Sequence, residues 1–184
     1  MHTIKPLNFT EAKAVEISPS ANSSSNDFDF LVGKWNVKNR KLSTRLNGCT
    51  EWTEFNATGE MRKILNGIGN IDNFHTTFDG ESFEGMTLRL FNPATRLWSI
   101  YWADSSVGVL DTPVVGSFDN TTGQFFGKDI YQGKEIIFMF HWDASEPDSP
   151  TWSQAFSEDH GKTWEWNWHM DMTRVSAPVE TVKD

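Results

Sequence analysis

Acid–base chemistry is the first possibility that the sequence raises, through a polar row near its C-terminal end. Glu165, Asn167, His169 and Asp171 occupy alternate positions there. Alternate residues of an extended strand share one face and lie about 7 Å apart, so Glu165 and His169, with Asn167 between them, could flank one small substrate and move a proton on it. These two are the candidate catalytic residues if the protein is an enzyme. A charged row on the outer face of a sheet has the same pattern and is the competing interpretation.

The residues that alternate with this polar row are apolar and predict a hydrophobic opposite face: Trp164, Trp166, Trp168, Met170 and Met172. Three other runs show the same period of two, with the apolar rows Trp98, Ile100 and Trp102; Ile136, Phe138, Phe140 and Trp142; and Trp152, Gln154 and Phe156. Strands of this kind, stacked around a barrel, would enclose an aromatic interior. Most of the rings are expected to fill a core, and the surplus indicates a pocket.

Two polar residues interrupt these apolar faces. Gln154 stands between Trp152 and Phe156, and Arg89 shares a strand face with two phenylalanine side chains. A buried amide or guanidinium must find a hydrogen-bond partner, which is either an internal group or a ligand. Together with the aromatic rows they define the candidate ligand-binding set: Arg89, Trp98, Trp102, Gln154, Trp166 and Trp168.

The elements that position these side chains are predicted to be strands. The chain has 184 residues with 9 Trp and 14 Phe, and aromatic residues favour strands over helices. Short apolar runs, among them 50–57 and 60–68, alternate with turn signals such as Asp79-Gly80, Asn92-Pro93 and Gln132-Gly133. The pattern predicts an all-β fold, a single up-and-down antiparallel β-barrel of about ten strands.

The Ser- and Asn-rich stretch 18–26 contains no apolar period and predicts a flexible lead. The predicted division is therefore a lead over 1–26, the barrel over 27–175 and a tail over 176–184. A different hairpin signature occurs late in the chain, where residues 157–164 fit the pattern Ser-x-Asp-x-Gly-x-Thr-Trp. It predicts a structural turn between the last two strands.

Charge and composition exclude several partners. The formal net charge is −9, with 25 acidic against 16 basic residues, and Lys and Arg do not cluster, so nucleic acid is not expected. The apolar runs are too short for a signal peptide or a membrane span, which predicts a cytoplasmic protein without a membrane partner. The 5 histidines lack metal-ligand spacing, so neither a metal site nor a cofactor is expected. A homodimer stays possible.

The opening of the first strand and the end of the last one carry a resemblance. Gly33-Lys34-Trp35 followed at the far end by Arg174 resembles the calycin and lipocalin pattern, which implies that Trp35 packs against the Arg174 guanidinium. Residues 28–174 resemble more closely an uncharacterised bacterial family of calycin-like barrels, the domain-of-unknown-function 1579 type (DUF1579). Its features here are Phe28-Asp-Phe-Leu-Val-Gly-Lys-Trp35, Phe91-Asn-Pro-Ala-Thr-Arg-Leu-Trp98 and Trp152-Ser-Gln-Ala-Phe-Ser157. This resemblance implies a fold and no activity.

Three hypotheses for function follow, beside the alternative of an interaction protein whose barrel is filled. The first is binding of a small hydrophobic or aromatic molecule in the barrel interior. The second is a cofactor-independent cyclase or isomerase that uses Glu165 and His169 in the same pocket. The third is haem binding through His169, because some calycin barrels with this opening resemble nitrobindins, which hold haem iron through a histidine near the end of the chain.

Overall fold

The computed structural model describes residues 4–11, 14–78 and 80–176. These residues form twelve β-strands and two single-turn 3₁₀ helices, Asp29–Leu31 and Leu65–Gly67. The strands are β1 Asn8–Phe9, β2 Val15–Glu16, β3 Gly33–Leu42, β4 Trp52–Ile64, β5 Gly69–Phe78, β6 Glu81–Asn92, β7 Leu97–Asp104, β8 Val114–Asp119, β9 Thr122–Tyr131, β10 Lys134–Asp143, β11 Thr151–Ser157 and β12 Glu165–Arg174. No helix in the described ranges is long and apolar enough to cross a membrane.

Strands β3 to β12 close into one antiparallel barrel. Each strand pairs with its neighbours in the chain, and β12 pairs with β3 to complete the ring. The predicted all-β, up-and-down barrel is therefore confirmed. The runs 50–57 and 60–68 were expected to form two strands, but residues 52–64 form the single strand β4, because Thr58 and Gly59 pair with β3 and β5 at once.

The predicted turns between strands have the expected chemistry. Gln132 and Gly133 have φ of 50° and 81°, which is the left-handed geometry of a two-residue hairpin. In the turn before β12, the Asp159 carboxylate accepts the backbone N–H groups of Thr163 and Lys162 at 2.9 and 3.0 Å. These donors, with the Thr163 and Ser157 hydroxyls, lower the pKa of Asp159 to about 2. The turn is thus structural.

One end of the barrel is closed by the segment before β3, which we call the plug (residues 24–32). Phe28 of the plug lies inside the barrel, with its ring edge-on to Trp98 at 5.0 Å and to Phe118 at 4.9 Å between centroids. It also contacts Phe125 and Trp142. These rings fill the closed end, so any cavity must lie between the plug and the opposite rim.

The plug is fastened by the last residue of β12. The Arg174 guanidinium lies 4.3 Å from the centroid of the Trp35 ring and donates to the carbonyl oxygens of Val32 and Phe30 at 2.7 and 2.6 Å. The stack between Trp35 and Arg174 that the resemblance implied is thus present. A flat guanidinium suits this place because it stacks on an indole face while its edge N–H groups serve carbonyls.

The described residues of the N-terminal lead lie on the outside of the barrel. Apolar side chains of this lead, including Leu7 and Phe9, cover an outer cluster made of Phe126, Ile137, Met139 and Ala155. Hydrogen bonds hold its Ser-rich part, for example from the Asn22 amide to Asn120 at 2.8 Å. Side-chain hydrogen bonds here take the place of the apolar burial that residues 18–26 lack. The flexibility of the lead stays a prediction, and residues 177–184 of the predicted tail lie outside the described residues.

Candidate ligand-binding cavity

A cavity of about 270 Å³ occupies the barrel above the plug. It extends from Leu31 at the closed end to Lys41, Arg45 and Asp111 at the opposite end, which we call the mouth. Its wall is made largely of inward-facing rings: Trp35, Phe74, Trp102, Phe138, Phe140, Trp142, Trp152, Phe156 and Trp168. Because these residues alternate with outward-facing ones along their strands, the wall follows from the period of two in the sequence everywhere except in β12.

Two tryptophans of the wall are fixed by specific neighbours. Trp102 lies against Gly85 of β6, where an added Cβ would come within 2.0 Å of the indole ring, so only glycine leaves room for it. Trp168 packs edge-on to Trp152 at 5.5 Å between centroids and donates its indole N–H to the Asn39 side-chain oxygen at 3.0 Å. Both rings therefore present preformed apolar surfaces to the cavity.

Near the plug, the cavity contains a buried guanidinium. Arg89 is 4% exposed, and its Nη1 donates to Asp72 Oδ2 at 2.5 Å and to Asn70 Oδ1 at 3.0 Å. The guanidinium carbon lies 5.1 Å from the centroid of the Phe28 ring. The Nε–H of Arg89 is buried and has no acceptor in the described part of the chain. One edge of the guanidinium is thus anchored, and the other has a donor to spare.

A second polar group lies midway along the wall, where β11 and β12 are irregular. Gln154 Nε2 donates to Asn167 Oδ1 at 2.9 Å. Gln154 pairs with Trp168 while the next residue, Ala155, pairs with Trp166, so Asn167 is an extra residue in β12 and forms a β-bulge. The bulge brings the fully buried Asn167 beside Gln154 and fixes the orientation of that amide at the cavity wall.

The mouth contains charges of both signs. The Lys41 ammonium lies 4.0 Å from the centroid of the Trp168 ring, and burial, followed by the nearby positive charge of Arg45, lowers the pKa of Lys41 to about 8. On the β7–β8 loop, burial raises the pKa of Asp111, helped by the carboxylates of Asp104 and Asp129. Burial thus disfavours the charged form of both groups at the entrance.

Replacing Lys41 by methionine is expected to stabilise the protein at pH 7 by about 1–3 kcal/mol. At that pH the ammonium is charged in the folded and the unfolded chain, but burial penalises it only in the folded one. The wild type regains this difference as the pH rises from about 8 towards the ordinary lysine value of 10.5. Urea unfolding of both proteins between pH 7 and 10 measures it. A variant that is less stable than wild type at pH 7 would contradict the expectation.

Solved structures with the same architecture exist at low sequence identity. An S-type phycobiliprotein lyase from Guillardia theta has a TM-score of 0.57 at 13% identity, over 85% of this chain and 95% of its own. The protein Rv2717c from M. tuberculosis has a TM-score of 0.53 at 10% identity, over 88% of this chain and 100% of its own. The fold is that of a lipocalin-like barrel. No protein-family model and no curated protein matches the sequence.

The lipocalin-like barrel brings most of the predicted binding residues together. Arg89, Trp102, Gln154 and Trp168 all line the cavity. Trp98 does not, because its ring packs on Phe28 at the closed end and its indole N–H donates to the Ser24 carbonyl oxygen at 3.1 Å. It belongs to the seal below the cavity.

Trp166 lies on the outside of the barrel, contrary to the sequence prediction. The bulge at Asn167 shifts the alternation by one residue, so Trp168 faces inward while Trp166 packs on the outer cluster beside Ala155. The sequence period counted Trp164 and Trp166 with Trp168, and both are wrongly placed for the same reason. A bulge changes the facing of every residue on one side of it.

The predicted catalytic pair is not assembled. Glu165 lies next to the mouth, and both of its carboxylate oxygens accept the backbone N–H of Leu46, at 2.8 and 2.9 Å. His169 lies on the outer face, between Trp52 and Trp166, with Nδ1 2.8 Å from the Ser153 hydroxyl. The two side chains cannot flank one substrate in the cavity.

The position of His169 also bears on haem. An iron in the cavity could not bond to an imidazole on the far side of the barrel wall, so the residues present do not fit haem held through His169. Within the described ranges, no group of three or more His, Cys, Asp or Glu side chains could hold a metal ion.

Sequence reasoning missed the charged residues of the cavity other than Arg89, among them Lys41 and Asp72. Lys41 continues the inward row of β3 that begins with Trp35 and Val37, so extending the alternation along that strand finds it. Asp72 is recognisable only through its ion pair with Arg89, which lies on the neighbouring strand β6 opposite Asn70. No local pattern indicates that contact.

Proposed function

We propose that the protein binds a small, largely apolar or aromatic molecule inside the barrel. The carrying observation is the aromatic-walled cavity of about 270 Å³. An apolar cavity of about 150 Å³ holds benzene, so this one has room for a bicyclic aromatic ring system. A mostly apolar wall with a few fixed polar groups is the usual composition of a small-molecule site.

The wall favours a planar ligand. Trp102 and Trp168 are held in place by Gly85 and Asn39, so their ring surfaces do not have to be ordered when a ligand arrives. Preformed aromatic surfaces reduce the entropic cost of binding, and offset or edge-on ring contacts add to the free energy of apolar burial. Gln154 offers a fixed polar contact at the same level of the barrel.

A pair of tryptophans in β12 provides the test, with naphthalene as the probe. Trp168→Leu removes a ring from the cavity wall, and Trp166→Leu removes the neighbouring ring on the outside. We expect calorimetric titration to show saturable binding to wild type, roughly tenfold weaker binding to Trp168→Leu and unchanged binding to Trp166→Leu. An absence of binding to wild type, or an equal loss in both variants, would overturn the proposal.

Several further properties of the protein are predicted from its sequence. They are membership of the uncharacterised bacterial calycin-like family, a cytoplasmic location, possible homodimer formation, and the absence of nucleic-acid and membrane partners. The lyase from Guillardia theta supports the barrel fold at 13% identity, and the ligand class proposed here rests on the cavity of this chain alone.

A further inference from the structure

The guanidinium at the closed end of the cavity has an unused donor edge. Both hydrogen bonds of Arg89 start at Nη1, while the buried Nε–H has no acceptor in the residues that the structure describes. Leaving such a donor unpaired costs about as much as a lost hydrogen bond. Nη2 lies on the same edge of the guanidinium as Nε, has no hydrogen bond within the described residues and is not fully buried. Because Arg89 lines the cavity, a group on the ligand is well placed to accept a hydrogen bond from Nη2.

The surroundings of Arg89 select the charge of that group. The Asp72 carboxylate, 2.5 Å from Nη1, already balances the guanidinium. A ligand carboxylate would therefore add a net negative charge to a buried site, which is expensive. The ring faces of Phe28 and Trp142 flank the guanidinium, and aromatic faces carry negative potential that disfavours an anion. An uncharged oxygen avoids both costs.

We propose that the ligand is an uncharged aromatic molecule whose carbonyl oxygen accepts a hydrogen bond from the unanchored edge of the Arg89 guanidinium, at Nη2, at the closed end of the cavity. This inference rests on the proposed function. The ring system lies between Trp102 and Trp168, and the carbonyl points towards the plug. Asp72 and Asn70 act as positioning residues because they fix the guanidinium through Nη1. Lys41 and Arg45 lie at the mouth, at the other end of the cavity.

Three naphthalene derivatives of similar size test the proposal. 2-Acetylnaphthalene carries the carbonyl, 2-isopropenylnaphthalene replaces that oxygen by a CH₂ group, and 2-naphthoate carries the anion. We expect the ketone to bind wild type about tenfold more tightly than the alkene, with 2-naphthoate weaker than the ketone. In the double variant Arg89→Met/Asp72→Asn, which removes donor and counter-ion together, the ketone is expected to bind no more tightly than the alkene.

A second measurement needs no folded variant. In ¹⁵N–¹H spectra of wild type, the Arg89 guanidinium N–H resonances are expected to shift when the ketone is added and to stay in place with the alkene. Equal binding of ketone and alkene, with no shift, would overturn this inference and leave the proposed function standing. Tightest binding of 2-naphthoate would overturn the uncharged acceptor, and failure of all three probes to bind would overturn both proposals.

Discussion

Replacing Phe28 by alanine is expected to lower the free energy of unfolding by about 3–5 kcal/mol, the usual cost of removing a buried phenylalanine. Its ring is 1% exposed and contacts Trp98, Phe118 and Trp142 in the closed end of the barrel. These neighbouring rings are carried by hydrogen-bonded strands of the closed barrel, so little of the surrounding structure can collapse into the space left. Urea unfolding followed by tryptophan fluorescence and by circular dichroism measures the change.

A phenylalanine at the other end of the barrel is the matched control. Phe78, at the end of β5, is 39% exposed and contacts Phe55 and Phe83. Phe78→Ala should therefore lower the free energy of unfolding much less than Phe28→Ala does. Equal losses in the two variants would show that the plug does not contribute specifically to stability. A further expectation concerns the cavity, because Phe28 also supports Arg89. Phe28→Ala should therefore bind the ketone probe more weakly than wild type, in addition to being less stable.

Removing one partner of the Arg89–Asp72 ion pair is expected to lower the free energy of unfolding by about 3–5 kcal/mol. Asp72→Asn leaves the guanidinium of Arg89, 4% exposed, without its counter-ion. Arg89→Met removes the cation and leaves a carboxylate that is 18% exposed. Because water can still reach this carboxylate, Arg89→Met should lose less stability than Asp72→Asn. Denaturant unfolding of both single variants gives the two values.

The double variant Arg89→Met/Asp72→Asn completes a thermodynamic cycle. We expect it to be more stable than the sum of the single losses predicts, because neither buried charge is left alone. The surface pair Lys34–Glu60, at 3.9 Å with both side chains more than half exposed, serves as control and is expected to couple by less than about 1 kcal/mol. Additive losses at Arg89 and Asp72 would show that the two charges do not stabilise each other.

The sequence predicted the cavity wall well where strands are regular. Trp102 and Gln154 face inward as the alternation required, since a strand without bulges keeps its period of two throughout. The prediction failed at one residue of β12. Asn167 enters the strand as an extra residue, which moved Trp166 outside and separated Glu165 from His169. No local sequence pattern around Asn167 marks a bulge, because the partner of its buried amide, Gln154, lies on another strand.

By itself, the sequence determined the barrel. Aromatic and β-branched runs at short, regular intervals, separated by turns such as Gln132-Gly133, favour pairing of each strand with its neighbours in the chain. The tertiary structure alone decided what the interior can do. Arg89 meets Asp72 from the neighbouring strand, and Phe28 enters from outside the barrel strands. These contacts join residues far apart in the chain, and the energy of a buried charge depends on such partners. Local sequence patterns indicate which side chains of a strand point into the barrel. The unpaired donor edge of Arg89, in contrast, exists only in the folded barrel.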